Sequence, residues 1–404
     1  MGIYLGDKKV STGMLAGYPE KESDVNFYDW DGTLLYAYTK SEFAQLTAMP
    51  PAPDRTGQNL TFEEWNFTLA ELQGYASKWY NNWVGCGAIY HTTDNKTHLT
   101  IVPTEVCPTI YLYVKGSIAN DTTIDWGDGN TVTLADTSNT QLEHTYTSFE
   151  ERDITIYSAT GTHSFPGYLC GTRANNQASK ITCFKAANTF RLTSFNDGNY
   201  GRFGNLTSLK NISLSKDNAD GIFDKLFSYS YVSHLNLPST IGAGQYGLYN
   251  AYSLLYCISK KYRSYQHANG CRSLRKMILP YYIIEDNFLN GCINLDEICI
   301  LSFATSARGS SSFNNCYKLK TAFIPSETTS MNGSATFANM ISLEKLYVMV
   351  DTPLTIQTTT FTSLPAFTKI YVPTGTLSTY QSATNWSTYA SQMVEYDYIT
   401  NPIT

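Results

Sequence analysis

The chain has 404 residues, enough for two or three domains, and a net charge of −6 with no basic run, which excludes an electrostatic nucleic-acid footprint. Hydrophobic residues make up 42% and charged residues only 15%, so cores can form beneath an unusually neutral surface of Thr, Ser, Asn and Tyr. No run of 18 apolar residues exists to span a membrane, and the 31 Tyr combine strand propensity with the flat, low-entropy chemistry of binding surfaces.

The chain opens with "MGIYLGDKKVSTGM", which lacks the apolar run of a signal peptide, so synthesis in a cytoplasm is expected. Residues 1–22 are read from their position as an attachment segment. Next comes "VNFYDWDGTLLYAYT", Val25 to Thr39, in which a hydrophobic strand runs into Asp-x-Asp-Gly-Thr-Leu. The motif resembles the nucleophile loop of haloacid-dehalogenase-type phosphatases. The resemblance implies Asp29 as nucleophile, Asp31 as acid/base and a bound Mg²⁺. That enzyme also needs a βαβ series, a second-strand Ser/Thr, a Lys and a later acidic pair. Residues 25–97 instead alternate, break at Pro50, Pro51 and Pro53, and give one amphipathic helix near 61–79. Asp31-Gly32 is therefore read as a hairpin turn between two aromatic strands. No catalytic residue, metal or cofactor is assigned, and the phosphatase is retained only as a remote alternative.

Residues 98–160 hold "TIDWGDGNTVTL" and "EHTYTSFEERDITIYS", strands joined by Trp126-Gly127-Asp128-Gly129 and followed by His144-x-Tyr146. The pattern resembles polycystic-kidney-disease (PKD)-type immunoglobulin-like domains, which implies a β-sandwich. Asp125 and Asp128 are expected to cap backbone amides of the turn, with cation binding left open. His144 is expected to serve as a structural hydrogen-bonder.

From about residue 180 one phrase recurs, F-x-x-C-x-x-L-x-x-I-x-I-P, with apolar residues at the lettered positions. "FNNCYKLKTAFIP" supplies Phe313, Cys316, Leu319, Ala322 and Ile324; "FTSLPAFTKIYVP" supplies Phe361, Leu364, Phe367, Ile370 and Val372. "LFSYSYVSHLNLP" places Leu226 first, and the starts fall at 203, 226, 248, 268, 289, 313, 337 and 361. The steps of 20 to 24 residues lie in the leucine-rich-repeat range. Spacing of three suits a short helical turn with one buried face, and I-x-I is a strand with both apolar residues inward. Each unit buries its face only by stacking on its neighbours. Ser259 at a strand position predicts a bulge or loop. The phrase resembles the BspA-like leucine-rich repeats, over residues 180–395, with "KIYVPTGTLSTYQSATNWSTYASQMVEY" similar to that family's C-terminal cap. The nine Cys are odd in number and include no CxxC; several sit at repeat-core positions as small hydrophobes, in keeping with free thiols.

The expected fold is thus mainly β and multidomain: a β-rich region with one helix (23–97), an immunoglobulin-like sandwich, then a leucine-rich-repeat solenoid. The hairpin, "DWGDG" sandwich and repeats together resemble proteins of phage and prophage structural regions. That resemblance implies a virion tail fibre, head fibre or receptor-binding protein. It would contact other virion proteins through its N-terminal region and a host glycan or protein through the repeats. A secreted bacterial surface adhesin is the alternative. Ligand-contacting candidates are exposed repeat tyrosines: Tyr229, Tyr231, Tyr246, Tyr249, Tyr252, Tyr262, Tyr265, Tyr281, Tyr282 and Tyr317. About half are expected to fill gaps between repeats instead. A homo-oligomer is left open, since no coiled-coil heptads fix its order.

Overall fold

A computed structural model of the chain describes residues 3–5, 8–10, 22–165, 180–192, 203–204, 206–261, 266–280, 286–302 and 309–398. Ile3–Leu5 and Lys8–Val10 pair antiparallel within the expected attachment segment. The aromatic hairpin forms as expected, Val25–Tyr28 antiparallel to Leu34–Tyr38. Its turn closes through Asp29 N donating to Thr33 O (2.8 Å) and Gly32 N to Asp29 O (3.1 Å). Gly32 lies at φ +90, where a Cβ would also collide with the His234 ring. Val25–Tyr28 continues parallel to Val84–Thr92, which pairs antiparallel with Leu60–Trp65. The single helix expected near 61–79 is shorter and later, Leu69–Ala76, behind a Thr68/Glu71 capping box. Residues 60–65, "LTFEEW", join the sheet instead, alternating up to a bulge between Phe62 and Glu64. A second short helix, Lys40–Ala44, starts at its own Thr39/Glu42 capping box.

Two sheets follow. One orders Thr140–Thr145, Thr109–Gly116, His163–Ser164 and Phe190–Arg191; the other orders Thr131–Thr133, Thr122–Asp125, Arg152–Ser158, Thr97–Ile101, Ile181–Lys185 and Asn211–Ser213. Inward residues alternate along each strand, as in Ile110, Leu112 and Val114 against Ile154 and Ile156. The larger sheet does not stop at the sandwich. Ile181–Lys185 pairs antiparallel with Thr97–Ile101 on one side and parallel with Asn211–Ser213, a repeat strand, on the other. Sandwich and solenoid accordingly share one continuous core.

The repeat strands stack in parallel, His234–Asn236, Tyr256–Ile258, Lys276–Leu279 and Glu297–Ile300, then Thr321–Ile324, Lys345–Val348, Lys369–Pro373 and Met393–Tyr396. Leu235, Cys257, Met277 and Ile298 stand in register as one inward row. At Ser259 the strand has ended, and its hydroxyl donates to Lys261 O (2.8 Å) in a turn. The F-x-x-C segments form turns with a hydrogen-bond ladder of their own. Phe227 N donates to Gly247 O, Leu248 N to His267 O, Leu289 N to Ser312 O and Phe313 N to Thr336 O. In this ladder Phe227 stands opposite Leu248. Phe227, rather than the expected Leu226, therefore takes the first position, although both are buried. Phe313, Phe337 and Phe361 stack at 5.4 and 5.7 Å. At the Cys position the thiols of Cys271, Cys292 and Cys316 donate to Leu248 O, Ala268 O and Leu289 O of the preceding repeat. Phe367, expected in the core, is exposed; Thr368 is buried there and donates to Leu343 O (2.7 Å). The C-terminal cap closes the last repeat with buried Trp386 and Tyr380.

The outward face of the repeat sheet is not free along its first half. The N-terminal sheet lies on it, burying Tyr28, Trp83, Val84 and Cys86 with Tyr256, Ile258, Ile278 and Cys299. Side-chain amides fix the register across this junction. Asn81 accepts from Ile300 N (2.7 Å) and donates to Ile300 O (2.8 Å), and Asn236 donates to Asp29 O (2.8 Å). Lys260 pairs with Glu71 (2.7 Å), Lys276 with Glu22, and Trp79 meets Phe323 and Tyr347 at 5.8 and 5.3 Å.

Candidate functional site

With the first half of the sheet face occupied, the turn corners and the bends beside them are the solenoid's open surface there. Six successive corners carry a pair of left-handed residues four apart: Lys225 and Tyr229, Tyr246 and Asn250, Gln266 and Gly270, Asn287 and Gly291, Ser311 and Asn315, Ala335 and Asn339; the Phe361 corner keeps Ser363 alone. Small or amide residues dominate because a Cβ-bearing chain pays about 1–2 kcal/mol to enter that region, least for Asn and nothing for Gly. Lys225 (φ 57), Tyr229 (φ 58) and Tyr246 (φ 54) are the departures from this rule, and they cluster in two adjoining corners. Their rings converge on Tyr249, at 5.4 Å from Tyr229 and 5.5 Å from Tyr246, and the Lys225 ammonium lies 5.8 Å from the Tyr246 ring. All three rings are half-buried, packed enough to be held and open enough to be touched.

Of the other expected tyrosines, Tyr231 and Tyr252 form a second pair at 6.3 Å on the adjoining bend. Tyr317 stands apart, exposed, its hydroxyl near Asn315 Oδ1 (3.4 Å). None of the six described candidates is fully buried. Tyr262, Tyr265, Tyr281 and Tyr282 lie outside the described residues.

Asp29 is fully buried and committed. Its carboxylate takes the Arg55 guanidinium (2.5 Å) and the Trp30 amide (2.9 Å). The neighbouring Tyr90 hydroxyl is pushed up by burial and by the Asp29 charge. Asp31 accepts from Thr33 N (3.0 Å), an Asx turn within the hairpin. The two carboxylates thus build a turn and an ion pair. Among the described residues no group of three His, Cys, Asp or Glu is placed to hold a metal.

Asp125 accepts from Gly127 N (2.9 Å), and Asp128 from Asn130 N (3.1 Å), so both cap the turn. Asp128 also meets His144 Nε2 at 2.6 Å, and burial is outweighed by that bond and the amide, which hold its carboxyl below the ordinary range. His144 stacks on Trp126 (4.9 Å), while Tyr146 donates to Trp126 O (2.8 Å). The WGDG and H-x-Y elements are one structural cluster.

Sequence reading missed the covered face. The signal was present: "YCI", "KMIL" and "EICI" are apolar without alternation, as strands buried on both faces are.

A stack of parallel strands and hydrogen-bonded turns around one core defines a leucine-rich-repeat solenoid. Its repeats match the BspA type leucine rich repeat region in six copies, over residues 180–255 and 260–368. Among solved structures, a leucine-rich repeat protein from Bacteroides ovatus ATCC 8483 is similar at 17% identity with a TM-score of 0.37. That alignment covers 57% of this chain and 61% of that one. No curated protein matches the chain. No catalytic family is indicated by these matches.

Proposed function

We propose that the chain is a non-enzymatic adhesion protein whose repeat corner, Tyr229, Tyr246 and Tyr249, binds a surface ligand. The observation carrying this reading is the pair of tyrosines at left-handed positions that the other repeats give mostly to Asn, Gly, Ser or Gln. Strained non-Gly residues persist where the side chain is needed. Aromatic faces beside amides and hydroxyls suit sugar rings and protein epitopes alike. The BspA-type repeats favour a bacterial surface adhesin. A virion fibre or receptor-binding protein is the second reading, supported by the co-occurrence of the N-terminal hairpin, the PKD-like "DWGDG" sandwich and the repeats in one chain. In either setting the sandwich acts as a spacer and the segment at 1–22 as the attachment to other proteins.

The test uses Tyr229→Asn with Tyr246→Asn in the full chain, read on glycan arrays, mucin and intact cells. Binding should fall at least about tenfold, a loss of some 1.4 kcal/mol. Melting temperature should rise, because Asn relieves left-handed strain. Undiminished binding with a higher melting temperature would make these rings gap fillers and end the proposal. Antibody labelling of cells and of phage particles separates the two settings.

A further inference from the structure

The exposed large apolar side chains of the described solenoid share one flank. Tyr231 (42% exposed), Leu255 (39%), Tyr317 (37%), Ile341 (55%) and Phe367 (61%) all lie in the bend between the buried Cys column and the strand. Elsewhere among the described residues, only the sandwich residues Val106, Ile118 and Phe149 are comparably exposed. A recurrent apolar stripe of this kind marks an interaction surface.

Charges border the stripe in a definite order. Along the stack, one position of the bend carries Leu255, Arg275, Asp296, Lys320 and Glu344, with Phe367 beside it in the last repeat. The backbone ties neighbours together: Arg275 N donates to Leu255 O, Asp296 N to Arg275 O, and Glu344 N to Lys320 O. Within the chain Arg275 pairs with Asp296 and Lys320 with Glu344, both at 3.1 Å. The order apolar, plus, minus, plus, minus, apolar has a particular property. Reversed, it is its own charge complement.

We propose that this flank is an isologous dimer interface, two copies of the chain packing antiparallel about a two-fold axis between the Asp296 and Lys320 repeats. Arg275 then faces Glu344 of the partner subunit, and Asp296 faces Lys320 of the partner subunit. Leu255 meets Phe367 of the partner subunit at each end. In the adjoining column Ile293 meets Tyr317 of the partner subunit, and Arg272 meets Ile341 of the partner subunit. Exposed ion pairs contribute little alone, so the apolar stripe supplies affinity and the charges set direction and register. The Tyr229, Tyr246 and Tyr249 corner stays outside the interface, so the dimer offers two ligand sites and gains by avidity. The inference does not depend on what that corner binds.

Sedimentation equilibrium of the full chain tests it. The wild type should run at twice the chain mass in the micromolar range. Arg275→Glu should raise the dissociation constant at least about tenfold, because it sets two acids face to face across the interface. Glu344→Arg should do the same with two bases. Each change also breaks an intrachain pair, and the double variant breaks both. Only the interchain pairing is restored in the double variant, so recovery of the dimer there reports the proposed contact. Ile341→Arg should dissociate the dimer, because it sets a second cation against Arg272 of the partner subunit, while the circular dichroism of the folded chain stays unchanged. A wild type that stays monomeric to about 100 μM would assign the stripe to a different chain and overturn the proposal. Single reversals without effect, or a double variant no better than either, would overturn it equally.

Discussion

At the scale of single residues, a literal enzyme motif proves to be hairpin chemistry. Asp29 has the sequence context of a nucleophile, yet it is enclosed, with Arg55 on one oxygen and a backbone amide on the other. Removing its charge leaves Arg55 partly buried and unpaired. Asp29→Asn should therefore cost roughly 2–3 kcal/mol, discounted because Arg55 reaches solvent. Phosphatase turnover with Mg²⁺ should be absent in both forms; turnover that vanishes in the variant would reverse this account. Acid sensitivity also has a residue-level source. His163 is buried, donating or accepting with Thr97 Oγ1 (2.8 Å), and burial with the Arg191 charge pushes it down to about 3. The folded imidazole stays neutral while the unfolded one takes a proton near pH 6.5. The unfolded state thus binds more protons between about pH 6.5 and 3, and stability falls as pH falls through that window. His163→Gln should flatten the decline of melting temperature from pH 7 to pH 4, whatever it costs at neutral pH.

At the scale of the element, the repeat is a turn ladder plus a strand ladder, and the aromatic column between them is its keel. Phe337 touches Phe313 and Phe361 on either side with nearly parallel rings. Phe337→Ala should cost about 3–5 kcal/mol. Because the repeats couple through nearest neighbours, hydrogen exchange should rise first in residues 309–373. Uniform exchange along the whole solenoid would contradict that. Much of the element was legible in the chain. Period, inward rows and cap follow from apolar spacing, since packing leaves those positions little choice. The register of the second repeat was not, because Leu226 and Phe227 are adjacent and both apolar, and only the ladder opposite Leu248 separates them. Phe367 misled for a related reason. Thr368 N donates to Pro365 O (3.1 Å) in a turn there, and Thr368 takes the inward place with its hydroxyl satisfied. The left-handed corners were invisible at Tyr229 and Tyr246, where the residue type argues against the conformation it adopts.

At the scale of the molecule, three regions read as separate in sequence are welded. The sandwich sheet takes in a repeat strand, and the N-terminal sheet roofs the repeats. The tertiary docking left only a faint trace, the missing alternation in three strands. Asn81 is the clearest test of the weld, since it closes both backbone groups of Ile300 across the junction. Asn81→Ala should cost about 2–3 kcal/mol by stranding two buried polar groups. Calorimetry should still show one transition that spans all regions. An early transition confined to residues 22–97 would mean the roof is only loosely laid.

The roof has a consequence for how such a gene changes. Repeat arrays ordinarily gain and lose units by slippage, since an extra copy meets identical neighbours. Here Asn236, Lys260, Lys276, Ile300 and Phe323 are each held by a different point of one lid. That lid is a gauge of fixed length. A unit inserted between residues 236 and 323 would throw every later mark out of step. Copy number should be frozen under the lid and free to drift only between Tyr347 and the cap.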